Sequence, residues 1–317
     1  MNKKVLFGLL IIILFLVPYI FSEYWLLILS EILIMGLFAI SFNLLFGYSG
    51  LLSFGHAGFF GLGAYTAALL IQHNITSIAI IILAGIIITA IISLIIGFLS
   101  VKHDEIYFAM ITLAFGMMLF TIAHNWTSLT GGSDGLPLMT MPVIKIAGKK
   151  FSFFNPSVIY YFTLIITTIS TFILYRIVNS HFGLILTGMR ENKERLIFSG
   201  ANIRNIRLFA FVVSAIFSGI AGIIFCFFSS MATPESMHWS FSAKPVIMSV
   251  LGGAEVFLGP LFGSIVFYVL EQIIRQFTDN WMIFLGIFLI PIVIFFPKGI
   301  VGTFLKVFSK EKGGNHE

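Results

Sequence analysis

The chain has 317 residues, of which 59% are hydrophobic and 10% charged, with a formal net charge of +5. A soluble domain carries about 25% charged residues and lacks the core to hide this much apolar surface, so a water-soluble fold is excluded. The cations lie scattered between apolar runs, which excludes a nucleic-acid partner and makes them reporters of membrane orientation, and the single cysteine, Cys226, excludes an internal disulfide or a thiolate metal cluster.

The first apolar run, 5–21, follows Lys3 and Lys4 in the manner of a signal peptide. Ile20, two positions before Ser22, does not fit a small-x-small cleavage site and further apolar runs follow at once, so this run is read as an uncleaved first helix. A helix needs about 20 apolar residues to cross a bilayer. By that measure 24–47, 54–72, 76–101, 106–125, 157–178, 208–230 and 281–297 are the further candidate spans. The apolar region 244–273 is interrupted by Gly252, Gly253, Glu255, Gly259 and Pro260, which predicts a broken or re-entrant element, tolerable where protein or a water-filled cavity surrounds it. The predicted fold is an all-α polytopic membrane protein with about eight spanning helices plus this glycine-rich element. Residues 1–310 form one transmembrane domain, and 311–317 are a flexible cytoplasmic tail.

With the N-terminus in the cytoplasm and 244–273 entering and leaving on the external side, both termini are cytoplasmic. Lys and Arg then concentrate inside, at Lys102, Arg176, the loop holding Arg190, Lys193, Arg195, Arg204 and Arg207, and the tail holding Lys298. Trp25, Trp126, Trp239 and Trp281 fall near the outer interface, where amphipathic rings prefer to lie. The longest external segment is 126–156 and the longest cytoplasmic one 179–207. Two glycine-rich stretches, 47–63 and 252–263, occupy comparable places in the two halves of the chain.

From Gly47 to Tyr65 the chain is rich in small residues. As a helix, Ser53, Ala57, Gly61, Ala64 and Ala68 share one face and allow close helix approach, while Gly47–Gly50 has the composition of a turn or unwound stretch. Transporters place substrate beside such breaks. Gly50, Ser53, His56, Gly58 and Gly61 therefore have two readings, helix packing and lining of a transport route. His56 lacks a second ligand at i+3 or i+4, so it is not read as a metal ligand.

The external stretch Thr130-Gly131-Gly132-Ser133-Asp134-Gly135 lacks the Lys-Ser/Thr ending of a phosphate loop and is read as a structured loop with an Asp134-Gly135 turn. The cytoplasmic stretch from Gly183 reads as a short amphipathic helix, 183–202. Leu186, Met189 and Leu196-Ile197 give its apolar stripe, and Gly200 suits its C-terminal cap. Its stripe needs cover from the membrane interface or from a partner's groove. Glu31, Glu255 and Glu271 are the acidic residues near membrane regions; Glu255 and Glu271 are read either as pathway-lining or as helix-end polar groups.

The stretch Ser49–Tyr65 resembles the signature of the branched-chain amino acid permeases, the LivH and LivM types. Tyr107–Leu113 and the Thr130–Leu136 loop resemble the LivM branch. Gly183–Asn202 with Leu208–Phe211 and Ser218–Gly222, then Leu251-Gly252-Gly253, Gly259-Pro260 and Pro297–Gly302, follow in the family's order over about residues 30–303. The resemblance implies an importer subunit that pairs with a sister LivH-type permease, two cytoplasmic ATPases that bind the ATP, and an external substrate-binding protein, in a bacterial inner membrane. It implies that 183–202 seats in a groove on an ATPase, with Gly183, Arg190, Glu191, Asn192 and Gly200 at the matching positions. Where the family has a small residue, this chain has the bulky Leu196-Ile197-Phe198. The rival readings are a urea or short-amide permease, which shares much of the signature, and an ion-coupled carrier, which needs a buried ionisable relay that the sequence does not display.

Overall fold

Ser22 is extended and leaves Glu23 in the first turn of a helix, where a negative charge complements the exposed amides. This helix, α1 (Glu23–Asn43), continues as a π-helical turn over Leu44–Ser49 and stops at Gly50, whose φ of 74° is the left-handed conformation that glycine tolerates. The computed structural model describes residues 21–303 together with Phe15 and Pro18, apart from residues 104, 147, 148, 279 and 297. Most of the expected first span, 5–21, and the tail 311–317 thus lie outside the described residues.

The chain resumes as α2 (His56–Gln72), then α3 (Ile78–Ser100) and α4 (Glu105–Asn125). After an irregular stretch containing β1 (Leu136–Pro137), β2 (Val143–Ile146) and β3 (Lys149–Ser152) come α5 (Pro156–Val178), α6 (His181–Glu191), α7 (Lys193–Phe198) and α8 (Ile203–Ser229). β4 (Met231–Ala232) leads to α9 (Trp239–Gly252), α10 (Gly259–Arg275) and α11 (Trp281–Phe295). Five of these helical segments are long and apolar enough to cross a bilayer: α1 with its π turn, α3, α4, α5 and α8. α2 and α10, at 17 residues each, and α11, at 15, are shorter. The all-helical expectation is qualified by two short antiparallel ribbons, β1 with β4 and β2 with β3.

α8 lies at the centre, packed on α1, α2 and α3. α3 shows how these helices divide protein from lipid. Ile81, Gly85, Thr89, Ser93, Ile96, Gly97 and Ser100 are buried, whereas Leu83, Ile87, Ile91, Leu94, Ile95 and Phe98 are exposed. The small and hydroxylated stripe turns inward and the large apolar side chains turn outward, the reverse of a soluble helix and the pattern that suits a lipid solvent. The buried hydroxyls are satisfied locally: Thr89 donates to the Gly85 carbonyl at 2.6 Å and Ser100 to that of Ile96 at 2.7 Å. Glycines bring the central helices to backbone contact. The space a Cβ would need is filled at Gly63 by the Gly219 carbonyl and at Gly222 by that of Phe60.

The bundle has two ends. At the first, Asn43 Nδ2 donates to the Ala254 carbonyl at 3.0 Å and Arg207 Nη1 to that of His103 at 3.2 Å, which places the end of α1, the α3–α4 turn, the start of α8 and the α9–α10 tip together. At the second, Leu136 pairs with Ala232 and Pro137 with Met231, so the 126–137 segment is fastened to the chain leaving α8.

Candidate functional site: a two-helix segment against broken helices

α6 starts where the Ser180 hydroxyl accepts from the Phe182 amide at 3.2 Å, and Gly183 lets it turn tightly against the Val178 carbonyl. Gly183, Leu186 and Met189 are its buried residues, while Leu184 is 71% exposed. The helix ends at Asn192, which is extended (φ −155°, ψ 95°) and whose Oδ1 accepts from the Arg195 amide at 2.9 Å. Asn192 is thus the N-cap of α7. The single helix expected over 183–202 is therefore two helices, because an asparagine side chain competes with the helical backbone and favours a cap. The C-terminal end follows the expectation more closely. Gly200 has a φ of 86°, its amide bonds the Ile197 carbonyl at 2.9 Å and the Ala201 amide bonds that of Leu196 at 3.1 Å, a Schellman closure.

No residue of α7 is buried. Ile197 is 51% and Phe198 90% exposed, beside the exposed Glu191, Asn192 and Gly200. Apolar side chains presented this way on a basic surface suit the membrane interface or a partner's groove better than water. Arg190 behaves differently from its neighbours. Its Nη1 donates to the Gly47 carbonyl at 2.6 Å, and its Nη2 lies 3.8 Å from Glu255 Oε1. Of the residues singled out in the sequence, the fold brings Arg190 and Gly50 together and leaves Glu191, Asn192 and Gly200 facing outward.

The break between α1 and α2 falls at Gly50–Gly55 rather than at Gly47–Gly50, since the π turn carries the helix to Ser49. Ser53 lies in the unwound part and so is not on the helical face predicted for it; its buried hydroxyl has no hydrogen-bond partner. α2 begins inside the bundle, with the space beside Gly55 filled by the Thr112 carbonyl, midway along α4. A helix start within a bundle leaves amides that need acceptors. The Ser242 hydroxyl of α9 supplies one, 2.9 Å from the Ala57 amide.

His56 stands at this start, fully buried, ringed by Phe42, Phe59 and Phe211. Its Nε2 is 2.7 Å from Ser214 Oγ, and Ser214 donates its one hydroxyl proton to the Ser41 carbonyl. Ser214 must then accept from His56, which puts the imidazole proton on Nε2. Gly58 packs against Leu119 and Gly116, and Gly61 against Met237. In this structure His56, Gly58 and Gly61 are all in packing contact with neighbouring helices or turns.

A second cluster was not found by sequence. Tyr268 donates to Glu31 Oε1 at 3.0 Å and Arg275 bonds Glu271 Oε1 at 2.7 Å, with Lys244 of α9 in the same neighbourhood. These residues come from α1, α9 and α10, so only the packing reveals the group. Among the described residues, no three His, Cys, Asp or Glu side chains are placed to hold a metal ion.

Long apolar helices with large side chains turned outward, two of their connections broken inside or at one end of the bundle, define a multi-pass membrane protein. The chain belongs to the family described as branched-chain amino acid transport system / permease component, whose model matches residues 24–293. It is similar to the high-affinity branched-chain amino acid transport system permease protein LivM of Escherichia coli (strain K12), 28% identical over 265 residues, or 77% of this chain and 62% of that protein. The LivM protein of Salmonella typhimurium is 27% identical with the same shares. A probable branched-chain amino acid transport permease protein LivM of Methanocaldococcus jannaschii is 22% identical, covering 74% of this chain and 71% of that one. The chain thus spans 62% of the length of the two enterobacterial relatives it matches. No solved structure matches it.

Proposed function

We propose that this chain is the membrane-spanning permease subunit of an importer for branched-chain amino acids, powered by separate ATPases that bind the ATP. The observation that carries the reading is the family match over 24–293, which runs from the first turn of α1 into α11, joined to an exposed two-helix segment at the basic end of the bundle. The partners are a sister LivH-type permease, two ATPases at that end and a substrate-binding protein at the other. The coupling segment is 183–202, with Gly183 and Gly200 shaping it and Arg190, Glu191 and Asn192 at its centre.

In the topology we favour, the basic end faces the cytoplasm of a bacterial cell, both termini lie there, and α9 and α10 form the re-entrant hairpin among about eight spans. The subunit performs no bond chemistry. It alternates between states that differ in affinity for its partners and solute.

Reconstitution tests this. Uptake of a branched-chain amino acid into vesicles should require both permeases, both ATPases, the binding protein and ATP. The Glu31, Lys244 and Glu271 cluster is the described group closest to the relay of a gradient-driven carrier. Uptake by this chain alone under an ion gradient would favour that reading and remove ours.

A further inference from the structure

Two interruptions of the helical framework meet at Arg190, and a third joins them through Glu255. The π turn after α1 stops at Gly50, so the Gly47 carbonyl lacks the amide that a further turn would bring. Arg190, from α6, fills that place at 2.6 Å, and its positive charge meets the negative end of the α1 dipole. Gly50 leaves the room: a Cβ there would stand 3.3 Å from Arg190 Cγ. The other nitrogen of the same fork faces Glu255, at the tip between α9 and α10, and Glu255 Oε2 lies 3.8 Å from Lys298 Nζ, in the turn after α11. The backbones of Gly253 and Gly299 touch beneath these charges. Together these groups wall a cavity of about 340 Å³ at the basic end of the bundle.

We propose that Arg190 is a positioning residue of the permease itself, the centre of an ionic latch made with Glu255 and Lys298 that ties the coupling segment to both broken elements and closes this end of the transport route. The proposal rests on the permease reading above. Both ion pairs are 3.8 Å long and made by partly exposed side chains, which suits contacts that open and close in every cycle. The guanidinium fork serves a carbonyl and a carboxylate at once, which a lysine's point charge does not. A pull on α6 withdraws Arg190 from Gly47 and Glu255 together, so the end of α1 and the α9–α10 tip are freed in one movement. The exposed Glu191, next in the chain, is left to meet the ATPase.

The test uses the complete transporter, with both permeases, ATPases and binding protein, carrying Arg190→Gln, Glu255→Gln or both. Uptake, ATP hydrolysis and retention of the ATPases on the purified complex are measured side by side. Each single change should lower uptake per ATP hydrolysed at least about fivefold, the double change should be no worse than the poorer single, and the ATPases should stay bound. Arg190→Lys should fall between wild type and Arg190→Gln. Losses that multiply in the double variant would overturn the latch, and so would loss of the ATPases with Arg190→Gln, which would place Arg190 on the ATPase surface. A wild-type complex whose uptake ignores ATP would instead remove the permease reading.

Discussion

His56 Nε2 and Ser214 Oγ stand 2.7 Å apart in the interior, and the ring fills the space between three phenylalanines. The bond joins the start of α2 to the middle of α8. Replacement by alanine removes a buried donor and leaves a hole, a combination expected to cost about 2–5 kcal/mol. His56→Ala should therefore lower the thermal midpoint of the detergent-purified protein markedly. His56→Gln, which retains a donor, should lower it less. Equal midpoints for wild type and His56→Ala would contradict the packing role.

Backbone contact at Gly222 sets a second expectation. The carbonyl of Phe60 occupies the volume of any Cβ at that position, whereas nothing lies within 4 Å of the corresponding volume at Gly286. Gly222→Val should force α2 and α8 apart at a cost of about 1–3 kcal/mol or more. Gly286→Ala should be neutral. Expression and monodispersity by size-exclusion chromatography read the difference, and a well-behaved Gly222→Val variant would disprove the contact.

Asn192 carries a local prediction. Its side chain caps α7, and removal of such a cap costs about 1 kcal/mol. Amide exchange over 193–199 in Asn192→Ala should accelerate about fivefold, while α8 exchanges as in the wild type. Unchanged exchange in 193–199 would mean that packing, not the cap, holds α7.

The β1–β4 ribbon is open to covalent capture. Leu136 and Ala232 are register partners, so their Cα atoms lie within the range that a disulfide spans. The native thiol, Cys226, is buried and does not compete. Leu136→Cys with Ala232→Cys should cross-link under mild oxidation, seen as a shift in gel mobility reversed by reductant. Leu136→Cys alone should show no such shift.

Much of the helical framework could be read from the chain because lipid imposes length and apolarity together. α3, α4, α5 and α8 lie close to their predicted ranges. The glycine-rich breaks could be read as breaks, since Gly50 and Gly253 need positive φ. Their exact place could not, because a π turn has no simple sequence signature and carried α1 past Gly47. Asn192 was visible as a residue type that favours caps, yet the apolar spacing through Leu196 masked it. Least legible were the long-range partners: Arg190 with Gly47, and Tyr268 with Glu31, are 143 and 237 positions apart. On α3 the inward face carries glycine, serine and threonine among two isoleucines while the large apolar residues face outward, so a search for hydrophobic periodicity there points toward lipid instead of toward the neighbouring helix.

The unbroken run of α8 has a mechanical meaning. Its 27 residues make a rod of about 40 Å. The 126–137 segment is bound by backbone to one tip, and the 183–202 stretch runs directly into the other. Each attachment turns at a left-handed residue, Ser230 at one tip and Gly200 near the other, while the helix between them is continuous, so the two surfaces share one rigid element that swivels at both of its joints.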